Sequence, residues 1–126
     1  MTGPPLVIDG SPLAVEDVVA VARGGASVAV GPGVPARMAA SRTVVERIVA
    51  DGATVYGITT GFGALASVHV SPAEARRLQQ SLVLSHAAGM GPPVDVEVVR
   101  AMMLLRARTL AAGLSGVRLG LVSGLV

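Results

Sequence analysis

Tyr56 and Phe62 are the one tyrosine and the one phenylalanine of a 126-residue chain, and both fall in "VYGITTGFGALA", residues 55–66. A phenol becomes a general base where its surroundings lower its pKa. With Gly57, Gly61 and Gly63 around it, Tyr56 could ride a lid loop that closes over a ligand. Thr59 and Thr60 would then offer hydrogen bonds beside Phe62. Two other roles fit the same residues. The glycines can simply make turns while both aromatics plug the loop onto the body. Gly61, Gly63 and Ala66 also match the G-x-G-x-x-A spacing of a dinucleotide-binding turn. That turn needs a helix opening at the glycines and an acidic residue roughly 20 positions on. Here "SVHVSP" follows instead, "SLVLSHAAG" downstream holds no acid, and no Lys-Ser/Thr pair completes a phosphate loop. The residues alone leave packing and catalysis open.

The segments around the loop predict what must hold it. "ATVYG" reads as a short strand entering it. "SPAEARRLQQSLVLSHAAG" reads as a helix leaving it, with Ser71 and Glu74 as a capping box and Pro72 at the first helical position. Leu78, Leu82 and Ser85 fall on one face of that helix, and Gly89 ends it. Upstream, "PLVIDG" and "SVAVG" predict short strands bounded by Gly and Pro. Between them lies a helix with Ser11 as N-cap, Pro12 just inside and Gly24-Gly25 as the stop. Glu16, Asp17 and Arg23 suit its dipole. A second helix spans Pro35 to Ala50. Downstream, Asp95 caps a helix that runs to about Ala112, Gly113 breaks it, and Ser115 caps a last helix.

Composition narrows the class. Hydrophobic residues make up 52% of the chain, chiefly Ala, Val and Leu, which favour close helix–helix packing. That is enough apolar surface for the core of one domain. The chain has no cysteine, so neither a disulfide framework nor a thiolate metal site can be drawn; no metal is expected. A formal charge of +2, two aromatics and a single Arg-Arg pair (Arg76-Arg77) give nucleic-acid binding no support. Arg100, Arg106, Arg108 and Arg118 interrupt the apolar C-terminal third, and each would cost roughly 2.5–3.5 kcal/mol at the centre of a membrane span. The N-terminus lacks the pattern of a signal peptide. The expectation is a cytoplasmic protein with no membrane and no nucleic-acid partner.

"VYGITTGFGALA", "LQQSLVLSHAAGMG" and "MLLRARTLAAGLSGVR", in this order and spacing, resemble the N-terminal portion of histidine ammonia-lyase and its aromatic amino acid lyase relatives. The likeness runs from about Leu6 to Arg118. It implies a mainly α fold: the N-terminal part of an all-helical lyase, with short N-terminal strands and a glycine-rich lid loop. It also implies a homotetramer and non-oxidative elimination of ammonia, giving urocanate from L-histidine. The family's electrophile is MIO (4-methylidene-imidazol-5-one), formed from an Ala-Ser-Gly tripeptide. Tyr56 matches the family's loop base, which removes the substrate's β-proton. Ser85 and His86 match a substrate-binding pair that commonly reads His-Leu in tyrosine lyases and Phe-Leu in phenylalanine lyases. Gly63 falls among the substrate-binding positions. An imidazole substrate needs hydrogen-bonding partners, because an unpaired buried donor costs about 1–3 kcal/mol. His86 can donate or accept according to its tautomer. By residue type alone it would be a helix cap or a surface histidine.

The chain departs from the family pattern at two positions, where Thr59 and Arg108 each stand in place of a frequent Asn. It also holds no Ala-Ser-Gly; Val122-Ser123-Gly124 comes nearest and lies too close after "GLSGVR". The MIO tripeptide is expected beyond Val126, because "SGVRLGLVSGLV" reads as a helix cut before its cap. Residues 1–126 are therefore expected to form an N-terminal segment that lacks its electrophile and is inactive alone. Its last two helices should carry uncovered apolar faces. The alternative is a non-catalytic helical module for assembly or binding that keeps the front of the lyase fold.

Overall fold

The computed structural model describes residues 3–126, apart from the side chain of Pro72. Two short strands and five α-helices follow in the order β1 (Leu6–Ile8), α1 (Val15–Ala22), β2 (Val28–Val30), α2 (Val34–Ala50), α3 (Pro72–His86), α4 (Val96–Ala111) and α5 (Leu119–Ser123). A short 3-10 helix, Gly63–Leu65, lies between α2 and α3. The chain forms two compact units, one from the residues up to Thr43 together with Pro93–Val126, the other from Val44–Pro92.

In the first unit the apolar, Val/Ile-containing runs "LVI" and "VAV" pair in parallel, with Leu6 opposite Val28, Val7 opposite Ala29 and Ile8 opposite Val30. Parallel neighbours need a crossover, and α1 supplies it. This helix does not start at Ser11. The Asp9 carboxylate takes the Ser11 amide at 2.9 Å, and that bond, the first cause, holds the carboxyl below its ordinary pKa. Ser11 is thereby kept in a turn. The helix starts at Val15, where Asp17 reaches back to the Ala14 amide at 3.0 Å. The cap comes from inside the helix.

Helix α4 packs against α1, β1 and α5. Leu104, Ala107, Leu110 and Ala111 on one of its faces meet Ile8, Val34, Met38 and Val122 to form the core. The small Ala107 and Ala111, both fully buried, let neighbouring backbone approach closely. Arg23, the C-cap of α1, grips Glu97 of α4 through two bonds, Nε–Oε2 at 2.8 Å and Nη2–Oε1 at 3.2 Å. Arg108 Nε donates to the Ser11 carbonyl at 2.7 Å. The last helix starts at Leu119 rather than at Ser115. Gly116, at φ +63°, interrupts any helix from Ser115. Val96, Met102 and Leu105 of α4 and Leu121 of α5 are exposed.

The second unit is built on α3. Its capping box is formed as the sequence predicts: the Glu74 amide donates to Ser71 Oγ at 3.3 Å, and the Ser71 amide donates to Glu74 Oε2 at 3.3 Å. The Ser71 hydroxyl adds a 2.6 Å bond to the same carboxylate. These bonds hold the Glu74 carboxyl below its ordinary pKa. Leu78 and Leu82 are half-buried, whereas Ser85 and His86 are exposed. The helix stops at His86, short of Gly89, because Ala87 turns out of helical geometry at ψ +54° while its amide still reaches the Val83 carbonyl.

Candidate active site

The predicted strand over "ATVYG" is absent, and the Thr59 side chain accounts for this. Its Oγ1 accepts the Val55 amide at 2.9 Å and donates to the Ala53 carbonyl. It thus supplies the partners a neighbouring strand would otherwise provide. The Ile58 and Thr59 amides both donate to the Val55 carbonyl at 3.0 Å, closing a turn over residues 55–59. Gly57 sits in that turn at φ +74°, a conformation that strains any residue with a Cβ. The Thr60 hydroxyl accepts the Gly57 amide at 3.2 Å and donates to the Gly61 carbonyl at 3.0 Å.

Thr59 and Thr60 are only 5% and 3% exposed. Both hydroxyls are engaged by the loop's own backbone, which is where their hydrogen bonds go in this structure. A bridge between Thr60 and His69 closes the loop, flanked by bonds from the Gly61 amide to the Val68 carbonyl and from the Val70 amide to the Thr59 carbonyl. Between these ends the 3-10 helix starts at Gly63 and finishes within one turn. Only this single 3-10 turn, and no α-helix, opens at the glycines, so the dinucleotide spacing finds no matching geometry. Gly61 is required by contact: a Cβ there would lie 2.6 Å from Leu65 Cβ.

Tyr56 projects from this closed loop. It is 65% exposed, with its ring edge-on to Phe62 at a centroid distance of 6.1 Å and an interplanar angle of 78°. The two aromatics pack on each other, and the phenol oxygen has no hydrogen-bond partner among the described residues. A closed loop that leaves its phenol accessible can present a proton acceptor to a ligand. Ser85 and His86 form the second cluster, on the last turn of α3. Ser85 Oγ lies 2.9 Å from the Leu82 carbonyl oxygen, and His86 Nδ1 lies 2.8 Å from the same atom. Oγ and Nδ1 are 3.0 Å apart. No hydrogen bond, ion pair or ring contact joins this cluster to residues 55–66 among the described residues.

The Leu82 carbonyl was missed by sequence reasoning. The signal was available in the spacing of Leu82, Ser85 and His86, since Ser and Thr bond back to carbonyls one turn earlier. A separate cleft of about 400 Å³ in this unit is lined by His69, Glu74, Arg77 and Ser81. It does not include Tyr56, Ser85 or His86. Among the described residues, no helix is long and apolar enough to cross a membrane.

The chain is 50% identical over 113 residues to the histidine ammonia-lyase of Streptomyces coelicolor, covering 90% of this chain and 22% of that protein. Its fold superimposes on ergothionase from Treponema denticola with a TM-score of 0.92 at 28% identity, over 97% of this chain and 24% of the other. For histidine ammonia-lyase from Trypanosoma cruzi the TM-score is 0.85 at 35% identity, over 97% of this chain and 23% of the other. The chain thus spans under a quarter of the length of these relatives. The profile of the aromatic amino acid lyases matches residues 13–126, and the chain belongs to that family.

Proposed function

We propose that this chain is the part of a histidine ammonia-lyase that supplies the loop base and one substrate-selecting pair. In this proposal Tyr56 removes the β-proton of L-histidine, and ammonia leaves without net oxidation to give urocanate. Ser85 and His86 hold the imidazole ring, with Gly63 beside the substrate. Gly57, Thr59, Thr60, Gly61 and Phe62 shape the lid that carries Tyr56. One observation carries the reading: a phenol that is exposed and unpartnered projects from a loop whose two threonine hydroxyls are internally bonded. The similarity to histidine ammonia-lyases gives that phenol its reaction.

The residues present do not supply the family's electrophile, since no Ala-Ser-Gly occurs in the sequence, and no step through MIO is assigned to them. Assembly as a homotetramer and a cytoplasmic location belong to the same proposal. Residues 1–126 incubated with L-histidine should form no urocanate above the protein-free control.

The direct test joins this segment to the remainder of the Streptomyces coelicolor enzyme. In that chimera Tyr56→Phe keeps the ring and its contact with Phe62 but removes the oxygen. Its kcat should fall by at least about 10²-fold with little change in binding. His86→Leu should act mainly through KM for histidine. Near-normal kcat in Tyr56→Phe, with unchanged MIO absorbance, would return the loop's aromatics to packing alone.

A further inference from the structure

The contacts of His86 point to one of its nitrogens as the proton carrier. A carbonyl oxygen can only accept, and Leu82 O lies 2.8 Å from Nδ1. An unprotonated Nδ1 would set its lone pair against those of the oxygen at that distance, which is repulsive. Nδ1 therefore bears the hydrogen and donates to Leu82 O. The Ser85 hydroxyl donates to the same oxygen at 2.9 Å, which turns an Oγ lone pair toward the Nδ1 hydrogen, 3.0 Å away from nitrogen to oxygen. In a neutral imidazole one nitrogen donates and the other accepts. The accepting nitrogen here is Nε2, at the free end of an exposed ring.

We propose that His86 selects substrate as a hydrogen-bond acceptor. Nε2 takes a ring N–H of the ligand, and Ser85 is the positioning residue that holds the required tautomer. The proposal rests on the assignment of this pair to substrate binding and adds its polarity. An imidazole with a free N–H satisfies Nε2. An N-methylated imidazole or a carbocyclic aromatic ring offers no donor and leaves a desolvated acceptor unpaired, which is costly. Three residues at the end of one helix would thus read a ring for a donor.

The tautomer can be measured directly on the 126-residue chain, which has two histidines, His69 and His86. Long-range proton–nitrogen correlation spectra of the nitrogen-15-labelled protein would be recorded at a pH where imidazole is neutral, with His86→Gln assigning the signals. The expected pattern has a protonated Nδ1 and an unprotonated Nε2, opposite to the tautomer that free histidine prefers in water. Ser85→Ala should shift the population several-fold toward the Nε2–H form, and Ser85→Thr should restore it. Backbone amide signals of α3 in the same samples report whether the helix is intact. A predominantly Nε2–H ring in the unmodified chain overturns the proposal, and so does a Ser85→Ala variant with unchanged populations and an intact helix. Neither result touches the assignment of Tyr56 as base. Conversely, a chimera inactive on histidine would leave the tautomer where it is.

Discussion

Replacing Thr59 by valine keeps the shape of the side chain and removes the oxygen that organises residues 53–59. The Val55 amide loses the acceptor it holds at 2.9 Å, and the Ala53 carbonyl loses its donor. Thr59 is 5% exposed, but Val55 is only half-buried and Ala53 is exposed, so water offsets part of the loss. A fully unpaired group would cost about 1–3 kcal/mol, so local opening should rise by at most roughly 5- to 150-fold. Amide hydrogen exchange reads this residue by residue. The amides of Ile58, Thr59 and Val70, each bonded within the loop, should exchange faster by up to that factor. Those of Leu6 and Gly31 bridge the strand ends of the first unit and should be unchanged. Thr59→Asn, which offers both a donor and an acceptor, should stay within a few-fold of the unmodified chain. Unchanged exchange at Ile58 and Thr59 in Thr59→Val would refute the claim that this hydroxyl holds the turn. An equal rise in both units would mean that the effect is global.

Two further outcomes concern the first unit. Leu104 is 2% exposed at the centre of the core, so Leu104→Ala should cost about 2–5 kcal/mol and lower the urea midpoint; an unchanged midpoint would displace it from the core. The hydrogen bond from Arg23, with its charge second, holds the Glu97 carboxyl below its ordinary value of 4.5. Its folded pKa is therefore the lower one, so the pair stabilises above the unfolded value and loses this as pH falls through the folded value. The difference in urea midpoint between the unmodified chain and Glu97→Gln should shrink on acidification. A difference independent of pH would assign the effect to packing.

Where a side chain acts on its own helix, the sequence was legible. Ser71, Glu74 and Pro72 mark the start of α3 because cap chemistry is local. Ser11 and Ser115 failed as caps for a related reason: a serine caps only if the backbone around it is free to enter a helix. Asp9 had already captured the Ser11 amide, and Gly116 holds a left-handed conformation just after Ser115. Neither competitor is visible from the serine itself.

The candidate site divides along the same line. Tyr56, Ser85 and His86 could be picked by residue type, but what orients them is largely backbone. The turn beneath Tyr56 depends on the Val55 amide and the Ala53 carbonyl, and the proton on His86 depends on the Leu82 carbonyl. Every residue type supplies the carbonyl and all but proline the amide, so no letter of the sequence marks them. Thr59 shows the consequence. Read as a lid residue it offers a hydroxyl to a ligand, yet in the folded loop that hydroxyl completes a turn. The loop can then expose a phenol while its own threonines take up the Val55 and Gly57 amides and the Ala53 and Gly61 carbonyls.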